Sequence, residues 1–531
     1  MEFLKRDKGI KFILWTLAII VCCACNKVNK ATVILYDAPL EESACDDFDM
    51  FVNGKQVFVY QARASKFPIN QIWPGYQRPI DQTEIVSFSY FDFEGEVEIK
   101  IIPKRKIETA EIRPKEFGIN PKIENNTITF KISKPLQFAV EVNGYHRALH
   151  VFANPISTYK IDKEDPKVHY FGPGIHDAGV IKPKNGETVY IEGGAIVYGV
   201  IHSENAQNVK ILGRGILDAS KIARNEAVNM IRMNNVTNVN IDGIILRGPH
   251  IWSTLLSNCN AITFDNVKLI GLWRYNSDGI NLVNCKDATI KNSFIRSFDD
   301  NIVIRGSKSA YIEPYNIIEN IHVENCVLWN DWGRVMEIGA DTFADTIKNI
   351  SYTNIYIPHF TSVAMDIQNC DRGHVTDIHY ENIYIEEPLK DSLIIGTTPI
   401  ARNAWGKIIV LGVYESFYSG DTIRGNIDNI TFKNIFYNGK NTPVNEASKD
   451  GLLAIDKNSG FKNYDLFIRD NIYYGDIEYN ATGSSNIYLS GFDDSHVVSN
   501  IHIENFLVNG EKVSDLNAVG KNKFVRNVFL K

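Results

Sequence analysis

From about residue 187 the chain repeats one unit: an alternating apolar strand, an asparagine, then a second alternating apolar strand. "AITFDNVKLIG", "IHVENCVLWND", "ISYTNIYIPHF", "IHYENIYIEEP", "ITFKNIFYNGK" and "IHIENFLVNGE" align on this pattern, with "ATIKNSFIRSF" between the first two. The aligned asparagines are Asn266, Asn292, Asn325, Asn354, Asn382, Asn434 and Asn505, and most successive spacings are 26 to 33 residues. Short β-branched strands at such a period predict a solenoid or a propeller. The marks of propeller blades are absent, and a leucine-rich repeat would carry more Leu and fewer Asn. The pattern fits a right-handed parallel β-helix with three short strands per coil, apolar side chains stacked inside and Asn at the bends. A small polar side chain there tolerates left-handed geometry and bonds nearby backbone.

Residues 26–165 follow a different pattern. "FDMFVNGKQVFVYQA" alternates around Asn53-Gly54, a hairpin signal, and "VSFSYFDFEGEVEIKII" turns at Glu94-Gly95. Strands with turn punctuation and no helical periodicity predict a β-sandwich. The fold class is therefore all-β, a sandwich over 26–165 followed by a β-helix over 166–531, joined through "HYFGPGIHDAGVIKPKNG". The polar-aromatic stretch at residues 70–84 reads either as interdomain packing or as a lid over one end of a groove.

The first 25 residues are unlike the rest. Lys5, Arg6, Lys8 and Lys11 precede the apolar run "FILWTLAIIVCCA", which is shorter than the roughly 20 residues a membrane span needs. Ala24 before Cys25 resembles a bacterial lipoprotein signal, which implies lipidation of Cys25 and attachment to the cell envelope by a lipid anchor alone; a plain secretory signal or an uncleaved anchor is the rival reading. Of eight cysteines, three lie in this leader. Cys259, Cys285, Cys326 and Cys370 each follow Asn, and no CxxC pair is present. Equivalent positions of a repeat explain them better than a zinc site or a disulfide framework. A net charge of -7 without a basic stripe argues against nucleic acid as partner.

The chemistry concentrates in "WRYNSDGINLVNC" and "KDATIKNSFIRSFDDNIVIRG", residues 273–306. Asp278 precedes Asp299-Asp300 by about one coil, so the three carboxylates should stack on one face, at the roughly 4.8 Å spacing of adjacent strands. Each alone would read as a turn residue. Together they suit glycoside hydrolysis, in which one protonated carboxyl serves the leaving oxygen and ionised ones activate water. Mutual repulsion raises one pKa and supplies the acid. Trp252, Trp273, Tyr275, Trp329 and Trp332 are dense around these residues, and sugars stack on such rings; each could equally be packing. Arg334 and Glu337 alternate with Trp332 toward the same groove, and Asp371 and His374 in "NCDRGH" are candidate subsite residues.

"NSDGI" (276–280) and "DDNIVIRG" (299–306) resemble motifs of the polygalacturonase family, glycoside hydrolase family 28, as does the preceding "GPHIWS" (248–253). The sandwich followed by "LHVFANP", "YFGPGIHDAG" and "VYIEGGAIVYG" resembles the dextranase family, glycoside hydrolase family 49. The resemblance implies an inverting hydrolase without metal or organic cofactor. Asp299 would be the general acid, with Asp278 and Asp300 holding the water. Arg305 stands where the polygalacturonase motif has Lys. The "GHG" motif is replaced by "NDWGRVMEIGAD" (330–341), and the uronate-binding "RIK" is not found. A neutral or only partly acidic α-linked polysaccharide is the expected substrate and partner. A polysaccharide lyase, which would need Ca²⁺, and a non-catalytic polysaccharide-binding solenoid are the rival readings.

Overall fold

The computed structural model describes residues 31–531 apart from 67–79, 81–82, 224–225, 227, 313–315, 389–392, 396–397, 401–406, 417 and 440–485. The leader with Cys25 and most of the 70–84 loop lie outside the described residues. Among the described residues there is no α-helix. The chain is an N-terminal β-sandwich followed by a right-handed parallel β-helix.

The sandwich pairs two sheets. One carries Thr32–Leu35, Thr83–Glu94, Leu149–Pro155, Leu136–Val142 and Ala110–Arg113, with Tyr60–Ser65 also on Thr83–Glu94. The other carries Lys55–Val57, Phe48–Val52, Val97–Pro103, Thr127–Ile132 and Lys122–Glu124. Asn53 and Gly54 both take positive φ (47° and 76°), and Val52 pairs with Lys55, the tight hairpin that an Asn-Gly pair favours. At Glu94-Gly95 the chain instead crosses between the two sheets, because Thr83–Glu94 and Val97–Pro103 belong to different ones.

Solenoid strands begin at Val168–Phe171 and run to Val525–Leu530, in parallel register apart from the short antiparallel Glu511–Lys512. Three stacks form. The groove stack contains Thr254–Ser257, Ile280–Val283, Ile302–Gly306, Arg334–Thr342, Val363–Asn369 and Lys407–Val413. A second stack, with Ile216–Asp218, Ile245–Arg247, Lys268–Ile270 and Phe294–Ser297, packs Ile216, Ile245, Ile270 and Phe294 against Tyr60, Phe88, Tyr90 and Phe152 of the sandwich. The third runs through Asn260–Asp265 and Lys286–Lys291 into the longer strands Ile317–Asn330, Thr346–Phe360 and His374–Pro388.

The asparagines turn the corners. All seven take left-handed φ between 50° and 57°. From Asn325 onward they bond one another between coils: Asn354 Nδ2 donates to Asn325 Oδ1 at 3.1 Å, Asn382 to Asn354 at 3.0 Å, Asn434 to Asn382 at 2.9 Å and Asn505 to Asn434 at 2.8 Å. Each amide thus caps the bend below while fixing coil register. Cys259, Cys285, Cys326 and Cys370 are buried free thiols; the first three fill space in the solenoid's apolar core as small apolar groups.

Buried arginines fasten the sandwich to the solenoid. Arg214 Nε lies 3.0 Å from Asp92, and Arg247 Nη1 lies 2.6 Å from Glu42. Arg113 reaches Glu386 across the same junction. Truncating one partner of such a pair leaves an uncompensated buried charge. The groove stack therefore rests on a braced scaffold.

Candidate active site

Strand register brings the acids together. Ile280 pairs with Ile302, so this coil spans 22 residues (280 to 302), one more than the spacing from Asp278 to Asp299. Asp278 therefore lies level with Asp300, with Asp299 one position earlier. One oxygen from each of Asp278, Asp299 and Asp300 lies within 4.8 Å of the others, and all three residues are buried.

Backbone bonds hold the bends. Gly279 N–H donates to Asp300 O at 2.8 Å, and Ser253 N–H and Oγ donate to Asp278 O at 2.8 and 2.7 Å. Gly279 is required: a Cβ there would stand 2.3 Å from Asn301 O. Ser297 Oγ and Asn330 Nδ2 donate to Asp299 O at 2.6 and 2.7 Å. The carboxylates have their own donors. Asn281 Nδ2 reaches Asp278 Oδ2 at 3.1 Å, and Arg334 N–H reaches Asp300 Oδ1 at 2.7 Å. Asp278 Oδ1 is buried with no hydrogen-bond partner in the protein, so it is available to a water, a substrate hydroxyl or a shared proton.

Burial pushes the Asp278 carboxyl well above the ordinary range, and the charges of Asp299 and Asp300 push it further; Arg305 and Asn281 pull the other way. Burial and Asp300 likewise raise Asp299, against Arg334 and Arg305. Glu337, one coil on at the register position of Val303, is raised by burial and then by Asp300. The cluster thus retains protons at pH values where free carboxylates have lost them. As a titrating set its protons belong to the group rather than to one residue.

The pocket is lined by Trp252, Tyr275, Trp332, Arg305, Arg334 and Glu337 around the three aspartates, with Asn276, Gly333, Ala340, Ser362, Gln368 and Tyr418 completing it. Arg305 lies over the Trp252 ring, 4.5 Å from its centroid, and Trp252 Nε1 donates to Asn276 Oδ1 at 3.1 Å. Trp332 stacks on Phe298 at 5.4 Å, with Tyr275 tilted at 6.2 Å. One wall thus carries fixed aromatic rings and the floor carries acids. The trio is also spaced to share a hard cation, although Arg305 and Arg334 already bring positive charge to it.

Four anticipated substrate contacts lie elsewhere. Trp273 is not among the lining residues; it is half-buried, near Arg274 at 5.3 Å and the sandwich's Arg63 at 6.0 Å. His374 is exposed in the third stack, paired with Thr346 and Asn426, on strands that do not form the groove. Trp329 is fully buried beneath the sandwich, against Arg296 at 4.2 Å and His359 at 4.4 Å. Its ladder position falls in the half-strand that follows Asn325, which turns toward the sandwich. Asp371 is an internal anchor, accepting N–H bonds from Thr342 and Asp421 at 3.0 and 3.1 Å.

Asp366 and Gln368 escaped the sequence reading, yet a signal exists. In "VAMDIQN" they occupy the outward positions between inward Met365 and Ile367, as Glu337 does in "VMEIGA". Asp366 is fully buried and pairs in register with Glu337. Burial raises its carboxyl to about 7, with Arg334 opposing the shift and Asp300 adding to it.

Residues 200–401, which contain all three aspartates, match the family model for glycosyl hydrolases family 28. Exopolygalacturonase B of Aspergillus niger is 24% identical over 245 residues, covering 38% of this chain and 54% of that protein. Probable exopolygalacturonase B of Aspergillus terreus is 23% identical over 255 residues, covering 37% and 59%. The chain spans about half the length of these curated relatives. In three dimensions the molecule resembles Dex49A from Penicillium minioluteum along nearly its whole length, with a TM-score of 0.54 at 14% identity over 91% of this chain and 92% of that one. The architecture that carries the acid cluster is the pectin-lyase-like fold of glycoside hydrolase families 28 and 49.

Proposed function

We propose that this chain is a glycoside hydrolase that cleaves an α-linked polysaccharide with inversion. One observation carries the reading: three buried carboxylates within 4.8 Å of one another on the floor of an aromatic-walled pocket. Such crowding opposes folding unless protons, water or substrate occupy it. Acid hydrolysis needs the mixture of protonated and ionised carboxyls that crowding creates.

Asp299 is assigned as the proton donor to the leaving oxygen, and Asp278 and Asp300 as the pair that holds the attacking water. Level residues on adjacent coils lie about 4.8 Å apart, and one water can donate its two protons to two acceptors so spaced. Separation by itself would point the other way. Inverting pairs typically stand about 6.5–9.5 Å apart and retaining pairs about 5–5.5 Å. Those spans describe two carboxyls on opposite faces of the sugar. A third carboxyl on the same face supports a bridged water, and the resemblance to families 28 and 49 supports inversion.

Substrate charge follows from the sequence around the pocket. The uronate-binding motif of the polygalacturonase family is not found, so a neutral or only partly acidic glycan is favoured. By its leader the enzyme would be carried on the bacterial cell envelope through lipid on Cys25.

The test is a panel of neutral α-glucans, galactans, arabinans and pectins incubated with wild-type protein and with Asp299→Asn, read as released sugar, with proton NMR of the first-formed anomer. Sugar release by wild type alone, with the anomer inverted, supports the reading. Retention would displace the water-holding roles. Absence of release across the panel together with retained binding would favour a binding solenoid. Unsaturated products lost on calcium chelation would favour a lyase.

A further inference from the structure

Arg334 has two attachments to the acids, and they oppose each other. Its backbone N–H holds Asp300 Oδ1 at 2.7 Å, while its side-chain Nε is held by Asp366 Oδ2 at 3.2 Å. Asp366 is itself fixed from behind. Gln368 Nε2 bridges Asp366 Oδ2 at 3.0 Å and Glu337 Oε1 at 2.7 Å, and Tyr414 Oη donates to Gln368 Oε1. Asp366 is fully buried, does not line the pocket, and presents a second oxygen, Oδ1, with no partner in the protein. A buried carboxylate beside a cluster already crowded with acids adds repulsion, so its retention calls for a reason.

We propose that Asp366 is a positioning residue that anchors the Arg334 guanidinium, so that this cation does not collapse onto Asp299, Asp300 and Glu337. The inference rests on the hydrolase reading for its catalytic meaning, but not for its geometry. A guanidinium forms bidentate pairs with carboxylates readily. Turned from Asp366 toward the acids, the Arg334 guanidinium would meet Asp299 or Asp300 and favour the ionised form of the proposed proton donor. Held through Nε, it supplies a nearby positive charge without taking the acid's proton. The charged and titratable groups around this clamp are Asp278, Asp299, Asp300, Arg305 and Glu337 on the cluster side, with Asp366 and Tyr414 behind.

The test compares wild type with Asp366→Asn and Arg334→Gln, alone and combined, by two readouts. The first is the pH profile of kcat/KM. Its alkaline limb, where the general acid loses its proton, should move toward acid pH in Asp366→Asn by about one unit, the lower end of what a neighbouring opposite charge does. The second is independent of turnover: a titration of ¹³C-carboxyl-labelled Asp and Glu by NMR, in which the most elevated carboxyl should drop by the same amount. The drop should be smaller when Arg334→Gln is already present, because the two act through one contact. A slower Asp366→Asn enzyme with an unmoved limb and unmoved carboxyl titration would overturn the proposal and leave Asp366 a packing residue. Moved carboxyl titration in a protein that releases no sugar would sustain the clamp while removing the hydrolase reading.

Discussion

Gly333 lies so close to Asp300 that a Cβ at 333 would stand 2.5 Å from Asp300 Oδ1, and 2.6 Å from Asp299 Oδ1. No side chain fits there without displacing the acids. The next residue, Arg334, donates its N–H to the same Asp300 oxygen, so the backbone at 333–334 acts as a template for the carboxylates. Gly333→Ala should therefore lower kcat/KM by about 10²-fold, the loss that a misplacement of about 1 Å can cause. The accompanying destabilisation should be about 1–3 kcal/mol, the usual range for overpacking. Steady-state kinetics beside denaturant titration separates the two. A Gly333→Ala protein with wild-type kinetics would show that Asp299 and Asp300 need not hold this geometry.

The three aspartates should differ in kind when removed. If Asp299 is the proton donor as proposed, Asp299→Asn takes away the proton for the leaving group, and natural glycosides should slow by about 10²–10⁴-fold, the worth of general acid catalysis. A nitrophenyl glycoside, whose leaving group needs little protonation, should slow much less. On the same proposal Asp278→Asn and Asp300→Asn would impair activation of water, so both substrate types should slow alike. kcat/KM for the three variants on both substrates decides the matter; equal losses at all three positions on both substrates would remove the division of roles.

Much of this arrangement was legible in the sequence because solenoids are nearly one-dimensional. Asn325, Asn354 and Asn382 recur where each coil must bend, and their left-handed φ and mutual hydrogen bonds follow from that single requirement. Asp278 and Asp299-Asp300 were legible for the same reason, since one coil returns the chain to one face. What spacing could not supply was which way a bend aims the residues after it. Trp329 and Trp332 are three residues apart, yet Trp329 is sealed beneath the sandwich and Trp332 walls the pocket. The choice depends on where the sandwich packs, a long-range contact with no local signature. Asp366 and Gln368 were missed because two polar residues in an apolar strand look like ordinary alternation until the neighbouring coil places Glu337 and Arg334 beside them.

Substrate charge gives a further expectation. Because the uronate-binding motif is not found in the sequence, polygalacturonate should be turned over more slowly than a neutral α-linked glycan of equal length. Faster hydrolysis of polygalacturonate would show that the cationic groups Arg305 and Arg334 dominate recognition.

Crowding also predicts a trade between stability and function that pH exposes. In the native state burial, then Asp299 and Asp300, hold the Asp278 carboxyl well above its ordinary range, and Glu337 is raised by burial and by Asp300. In the unfolded chain both ionise near the ordinary value of about 4. Between those limits the native state binds more protons than the unfolded state, so stability from these groups falls as pH rises through the window. Asp278→Asn removes one such group while keeping its shape. Its Tm should lie near or below that of wild type at about pH 3, below the unfolded value, where the carboxyl is largely protonated in both states. The difference should shift in the variant's favour as pH rises toward 7, where wild type pays for an acid it must either keep protonated or ionise among like charges. Each pH unit across the window corresponds to at most about 1.4 kcal/mol for one group. Calorimetric scans of both proteins from about pH 3 to 8 test this directly. A Tm difference independent of pH would mean that Asp278 titrates as an ordinary carboxylate, and the crowded cluster would lose its claim to supply the catalytic proton.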